Sequence, residues 1–172
     1  MNTMWVALLR GADANNVAMP ELEEALGQSG LREVHSVLDN GNLAFSSELA
    51  RGELEEHILG ILKSSFGVRK RPVILQAEQF REVVRENPFG DDSEGNIFVL
   101  FLRKPSLRPD FQQMERFKGP KERWCLFDDA LYLRTPGEFR RSKLGVRLER
   151  LLGVCTAPRS WCEVTEISKL LV

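Results

Sequence analysis

Cysteine, histidine and tyrosine are scarce in this chain, and neither sign of charge dominates it. Three cysteines, Cys125, Cys155 and Cys162, form no CxxC pair and are odd in number. That pattern speaks against a disulfide framework or a structural zinc site, and the thiols read as reduced packing residues. The two histidines, His35 and His57, have no cysteine or paired carboxylate at ligand spacing. There is no H-E-x-x-H, G-x-S-x-G, Walker loop or G-x-G-x-x-G, so no catalytic residue, metal or cofactor is expected, and whether the protein is an enzyme stays open. No apolar run approaches the roughly 18 residues of a membrane span. The opening MNTMWVALLRG lacks a basic leader and reads as a first strand, which makes the cytoplasm the expected location and a membrane partner unexpected. A net charge of −1 provides no global field to attract nucleic acid. Asp91-Asp92 and Asp128-Asp129 are adjacent carboxylates, which on a strand would face opposite ways. Turns and linkers explain them better than acid–base pairs.

What is present suits an ordinary folded chain. The 172 residues, 42% hydrophobic, fit one domain or two small subdomains. MWVALL at 4–9 is apolar throughout, as in a strand buried on both faces. Pro20 opens a helix with Leu22, Ala25 and Leu26 on one face, closed by Gly30. Residues 34–39 and 42–46 read as strands joined at Asn40-Gly41, a strong hairpin signal. A helix carrying Leu54, Ile58, Ile61, Leu62 and Phe66 follows, then the strand RPVILQ. The order β-α-β-β-α-β predicts a ferredoxin-like subdomain over residues 1–76.

Residues 77–172 read as a second, irregular α+β subdomain of order αβαββαα, ending in two helices, LGVRLERLLG and WCEVTEISKLLV. The best candidate linker is NPFGDDSEGN, residues 87–96. Trp5, Trp124 and Trp161, with ten phenylalanines, read as core packing more readily than as a base-stacking platform.

Charge is uneven. From Arg134 to Val172 there are eight basic residues and four acidic ones. The stretch GEFRRSKLG places Arg140, Arg141 and Lys143 where a helix is predicted to begin, and cations are unfavourable at that end. Ser142 reads as the N-cap of a helix starting at Lys143. Free amides, Arg141 and Lys143 would then make an anion site; the alternatives are a solvated basic segment or a pair with Asp128 or Asp129. In PRSWCE, Ser160 and Glu163 have capping-box spacing, and Arg159 precedes the helix start. An extended 153–159 would let the two helix starts converge, although nothing requires it. Arg10 ends the first strand and is a further candidate, with a salt bridge at the sheet end as the other reading.

WVALLRG, VAMPEL, GNLAF, ENPF, RRSKL and PRSW, in that order, resemble the domain of unknown function 1697 family over nearly the whole chain. The resemblance implies an α+β fold of two ferredoxin-like subdomains and implies no activity. Against the family's pattern, the loop after the first strand here is Arg10-Gly11-Ala12-Asp13-Ala14-Asn15-Asn16, without a glycine pair.

The resulting expectation is a binding module for a small anionic ligand, bearing phosphate or carboxylate, held by Arg141, Ser142, Lys143, Arg159 and Arg10. The alternatives are a nucleic-acid binder using the basic C-terminal face and a non-enzymatic protein-interaction domain. Oligomeric state is not readable from the chain.

Overall fold

The structure, a computed structural model, describes residues 2–11, 16–90 and 96–172. The expected linker at 87–96, the pair Asp91-Asp92 and the loop after the first strand thus lie partly or wholly outside the described residues. The fold is α+β, built on two four-stranded antiparallel sheets. Contacts group the chain up to Glu82 with Thr165–Val172, and Val83–Val164 separately. The boundary expected at residue 76 thus falls at 82, and the last residues group with the first unit.

The first unit runs β1 (Thr3–Leu8), α1 (Met19–Gln28), β2 (Arg32–Val37), β3 (Asn42–Ser47), α2 (Arg51–Phe66) and β4 (Val73–Gln76), followed by α3 (Ala77–Arg85). Its strands lie in the order β2-β3-β1-β4. Each β-α-β crossover is therefore split by a strand from the other. Period-2 alternation puts Trp5, Ala7, Phe45 and Ile74 into one core with Leu22 and Leu26 of α1 and Leu54, Ile58 and Leu62 of α2. Each of the leucine, isoleucine and phenylalanine side chains contributes roughly 1.5–3 kcal/mol when fully buried. β1 and β3 occupy the middle of the sheet, which is why they are apolar or buried along most of their length.

The hairpin differs from expectation. Val37 pairs directly with Asn42, so the connection is the four residues Leu38–Gly41 and not a two-residue Asn-Gly turn. Leu38 and Gly41 both have positive φ, at 61° and 86°. The Asn42 amide closes the loop, donating to the Val37 carbonyl at 3.1 Å and to Asn40 Oδ1 at 2.6 Å. Gly41 is required for a further reason. Its carbonyl accepts from the Leu9 amide at 2.8 Å, and a Cβ there would lie 2.5 Å from Leu9 Cβ.

The second unit runs β5 (Asn96–Leu102), α4 (Phe111–Phe117), β6 (Arg123–Leu126), β7 (Ala130–Thr135), α5 (Leu148–Leu152), β8 (Thr156–Ser160) and α6 (Trp161–Lys169). The strand order is β6-β7-β5-β8. This is the first unit's order again, so the second half is not the irregular αβαββαα arrangement expected. The element missed was β8. It has five residues and includes Pro158, a residue that weakens any strand reading but is tolerated on an edge strand such as this one. Leu100, Leu102, Leu131 and Leu133 form one face, packed by Met114, Leu144, Leu148 and Leu152.

In both units the last strand passes into a helix without a loop. The Gln76 amide donates to Gln79 Oε1 at 3.0 Å. At the second junction Ser160 and Glu163 form the expected capping box: the Ser160 amide donates to Glu163 Oε1 at 3.1 Å, and the Glu163 amide to Ser160 Oγ at 3.2 Å.

Gly41→Ala should destabilise the protein more than Gly67→Ala. Both positions have positive φ, which costs an L-residue roughly 1–2 kcal/mol. Gly67 faces open space, whereas Gly41 abuts Leu9, and such overpacking adds about 1–3 kcal/mol. Urea midpoints of the two variants, compared at equal m-value, measure the difference.

Candidate functional site

The chain leaves β7 at Thr135 and does not enter an α-helix at Lys143 as predicted. Phe139–Arg141 and Gly145–Arg147 are two 3₁₀ turns, and α winding begins only at Leu148. The apolar spacing explains why winding starts early all the same: Leu144 and Leu148, four apart, both point into the second core. Tighter 3₁₀ turns at a helix start are common.

Ser142 lies between the turns and is 5% exposed. Its hydroxyl donates to Glu122 Oε2 at 2.5 Å and accepts from the Gly145 amide at 2.8 Å. It caps a turn, as expected of such a residue, but the turn is 3₁₀ and the hydroxyl is fully engaged. Glu122, 6% exposed, also accepts from the Gly119 amide through Oε1 at 2.8 Å. Gly119–Glu122 is itself a tight turn, closed by the Glu122 amide donating to the Gly119 carbonyl at 3.1 Å, with Pro120 at its second position.

Around this buried pair lies a cavity of about 450 Å³, within the usual range for small-ligand sites. Its apolar wall is Phe117, Pro120 and Pro136. The Arg147 guanidinium stands over the Phe117 ring, 4.4 Å from its centroid, and steadies it. Lys121, Arg141 and Lys143 line the same cavity and are exposed. Among the described residues none of these three side chains makes an ion pair or a hydrogen bond, Asp128 and Asp129 included. Glu122 and Glu138 also line it, the first buried and the second exposed.

The remaining candidates lie elsewhere. Arg159 sits on β8 in register with Val99 and, through it, Tyr132. The alternate residues Leu100, Leu131 and Leu133 face the core that holds Leu144. Arg159 is therefore on the opposite face of the sheet from the RRSKLG segment, and the two helix starts do not converge. It is 5% exposed, and its Nη1 donates to the Pro158 carbonyl at 2.8 Å. Burial pulls its guanidinium down to about 10 while Glu163 opposes that pull, so it stays charged at neutral pH. Arg10 belongs to the first unit, where it is largely buried and donates to the Arg71 carbonyl at 3.4 Å. Arg71 in turn pairs with Glu55 at 3.1 Å and with Glu56. Among the described residues no three His, Cys, Asp or Glu side chains are grouped to hold a metal ion.

Sequence reasoning missed Lys121, Glu122 and Phe117. The only local signal was the G-P-K-E turn, whose acid falls three residues after a glycine. Nothing within 20 residues' separation indicates that this acid meets Ser142.

The model of the family described as Protein of unknown function (DUF1697) matches residues 1–132. The chain belongs to that family. The matched span holds Lys121, Glu122 and Phe117, while RRSKL and PRSW lie beyond it. Among solved structures, a conserved bacterial protein from Streptococcus pneumoniae is similar at 22% identity, with a TM-score of 0.75 and all of both chains covered. At that identity the likeness speaks for the fold of this DUF1697 member alone. No curated protein matches the chain.

Ser142→Ala should cost about 1–3 kcal/mol, because it strips a donor from buried Glu122 and an acceptor from the Gly145 amide. Arg141→Ala/Lys143→Ala should stay within about 0.5 kcal/mol of wild type, as surface changes do. Chemical denaturation of the three proteins separates the structural residue from the available ones.

Tyr132, the only tyrosine, gives a spectroscopic check on the other sheet face. Its hydroxyl donates to the Val83 carbonyl at 2.7 Å. Burial, then the charges of Glu86, Asp129 and Cys125, push its ionisation well above the ordinary value of 10.0. An acid whose folded value is raised contributes stability that is complete below the unfolded value and lost as pH climbs past about 10. Phenolate absorbance at alkaline pH should therefore rise together with unfolding measured by circular dichroism, and not before it.

Proposed function

We propose that the second-unit cavity binds a small ligand through an anionic group, phosphate or carboxylate, with Lys121, Arg141 and Lys143 as its contacts. The observation that carries the reading is the absence of ion-pair partners for these three cations among the described residues lining one ligand-sized space. Like charges gathered there repel one another until an anion arrives. The proposal narrows the set expected from sequence. The Ser142 hydroxyl is engaged, Arg159 lies across the sheet, and Arg10 has its own contact in the first unit, so none of the three is a ligand contact in this reading. We read both units as ferredoxin-like, on their matching strand orders, and the protein as a cytoplasmic binding module.

Thermal unfolding against inorganic phosphate, nucleoside triphosphates, dicarboxylates and a short RNA tests this. A ligand binding only the folded state stabilises it by about 2.7 kcal/mol at a hundredfold excess over its Kd. The expected result is a rise in Tm with at least one small anion, abolished in Arg141→Ala/Lys143→Ala. No shift with any anion would overturn the reading. A shift with RNA alone, falling steeply with salt, would move it to nucleic-acid binding.

A further inference from the structure

We infer that the ligand of this cavity is a small zwitterion, whose ammonium group meets Glu122 while its acidic group meets Arg141, Lys143 or Lys121. The inference rests on the cavity being a ligand site. Glu122 is 94% withdrawn from solvent by its 6% exposure, and it lines the cavity. Acids so deeply buried are seldom left without a counter-charge. Here both partners are neutral: the Ser142 hydroxyl on Oε2 and the Gly119 amide on Oε1. No described cation comes within ion-pair distance of it, although Lys121 is its neighbour in the chain. A carboxylate offers about four acceptor positions, so roughly two remain open.

The lining thus holds a buried acid with no paired cation, and three exposed cations that pair neither with it nor with the exposed Glu138. A bare anion would satisfy the cations and leave Glu122 more exposed to repulsion. A bare amine would do the reverse. A metal ion is disfavoured, since Glu122 belongs to no group of three ligating side chains among the described residues. One molecule carrying both charges answers both ends, and the wall of Phe117, Pro120 and Pro136 suits an apolar body between them. Free amino acids and their longer-chain ω-amino analogues have this chemistry.

The test uses matched pairs that differ only by the amine. L-phenylalanine is set against 3-phenylpropionate, and ω-amino acids of increasing length against the corresponding alkanoates, all by calorimetric titration of the full chain. At least one zwitterion should bind ten- to a hundredfold more tightly than its desamino partner, the scale of a charge-assisted hydrogen bond. In Glu122→Gln that preference should vanish while the desamino acid binds no worse. In Arg141→Ala, which leaves Glu122 and both its hydrogen-bond partners in place, the preference should persist even where both members of a pair bind more weakly. This second variant and the wild-type comparison keep the test decisive if Glu122→Gln folds poorly. Desamino acids binding as tightly as their amine partners would overturn the zwitterion and leave the anion site standing. Persistence of the preference in folded Glu122→Gln would overturn it as well. Failure of every compound to bind would remove both readings together.

Discussion

The hydrogen bond from Ser142 to Glu122 is the contact on which the second unit's cavity depends. It joins two turns twenty residues apart, one closed by Gly119–Glu122 and the other by Ser142–Gly145. Neither turn belongs to a sheet or a long helix. Among the described residues no other buried polar contact fixes the loop bearing Lys121 against the segment bearing Arg141 and Lys143. The bond also holds a buried acid beside the exposed cations and the exposed Glu138 of the same lining. The chemistry of the cavity is therefore mixed in sign, which no count of arginines and lysines along the chain conveys.

The fold was largely legible in the chain because its signals are local. The period-2 and period-3.6 apolar patterns of the first half are unambiguous, and the capping box at Ser160 and Glu163 forms as its spacing requires. Legibility failed where residues have two explanations. Asn40-Gly41 signals a tight turn, yet Gly41 is also needed for the approach of Leu9, and the loop is longer. Pro158 and Arg159 disguise β8. Its edge position makes the proline tolerable, and edge position is a property of the sheet, invisible in a five-residue window. Once β8 is restored, the second unit repeats the strand order of the first.

The candidate site was legible in part. Two basic residues of RRSKLG, Arg141 and Lys143, are exposed and line a cavity, while Arg140 is exposed outside it. The Ser142 hydroxyl accepts an amide proton at a turn, as its residue type suggests, but the acceptor of its own proton lies far away in sequence. Arg159 and Arg141 each precede an apparent helix start in the sequence. Strand register, which alternates faces at every residue, separates them. Long-range pairing and register are the two kinds of information a local reading does not hold.

The strand orders carry a consequence for behaviour at high concentration. Two sheets of four strands leave four edge strands, β2, β4, β6 and β8. Each is interrupted or short. The pairing of β2 shifts register between Arg32 and His35, and Glu33 there has a φ of 51°. β4 and β6 have four residues each, and β8 carries Pro158, which has no amide proton to offer. A neighbouring chain seeking to extend either sheet would find no long, regular row of free donors and acceptors, the template on which intermolecular β-aggregation grows. The same irregularity that hid β8 from the sequence reading thus helps keep copies of the protein apart.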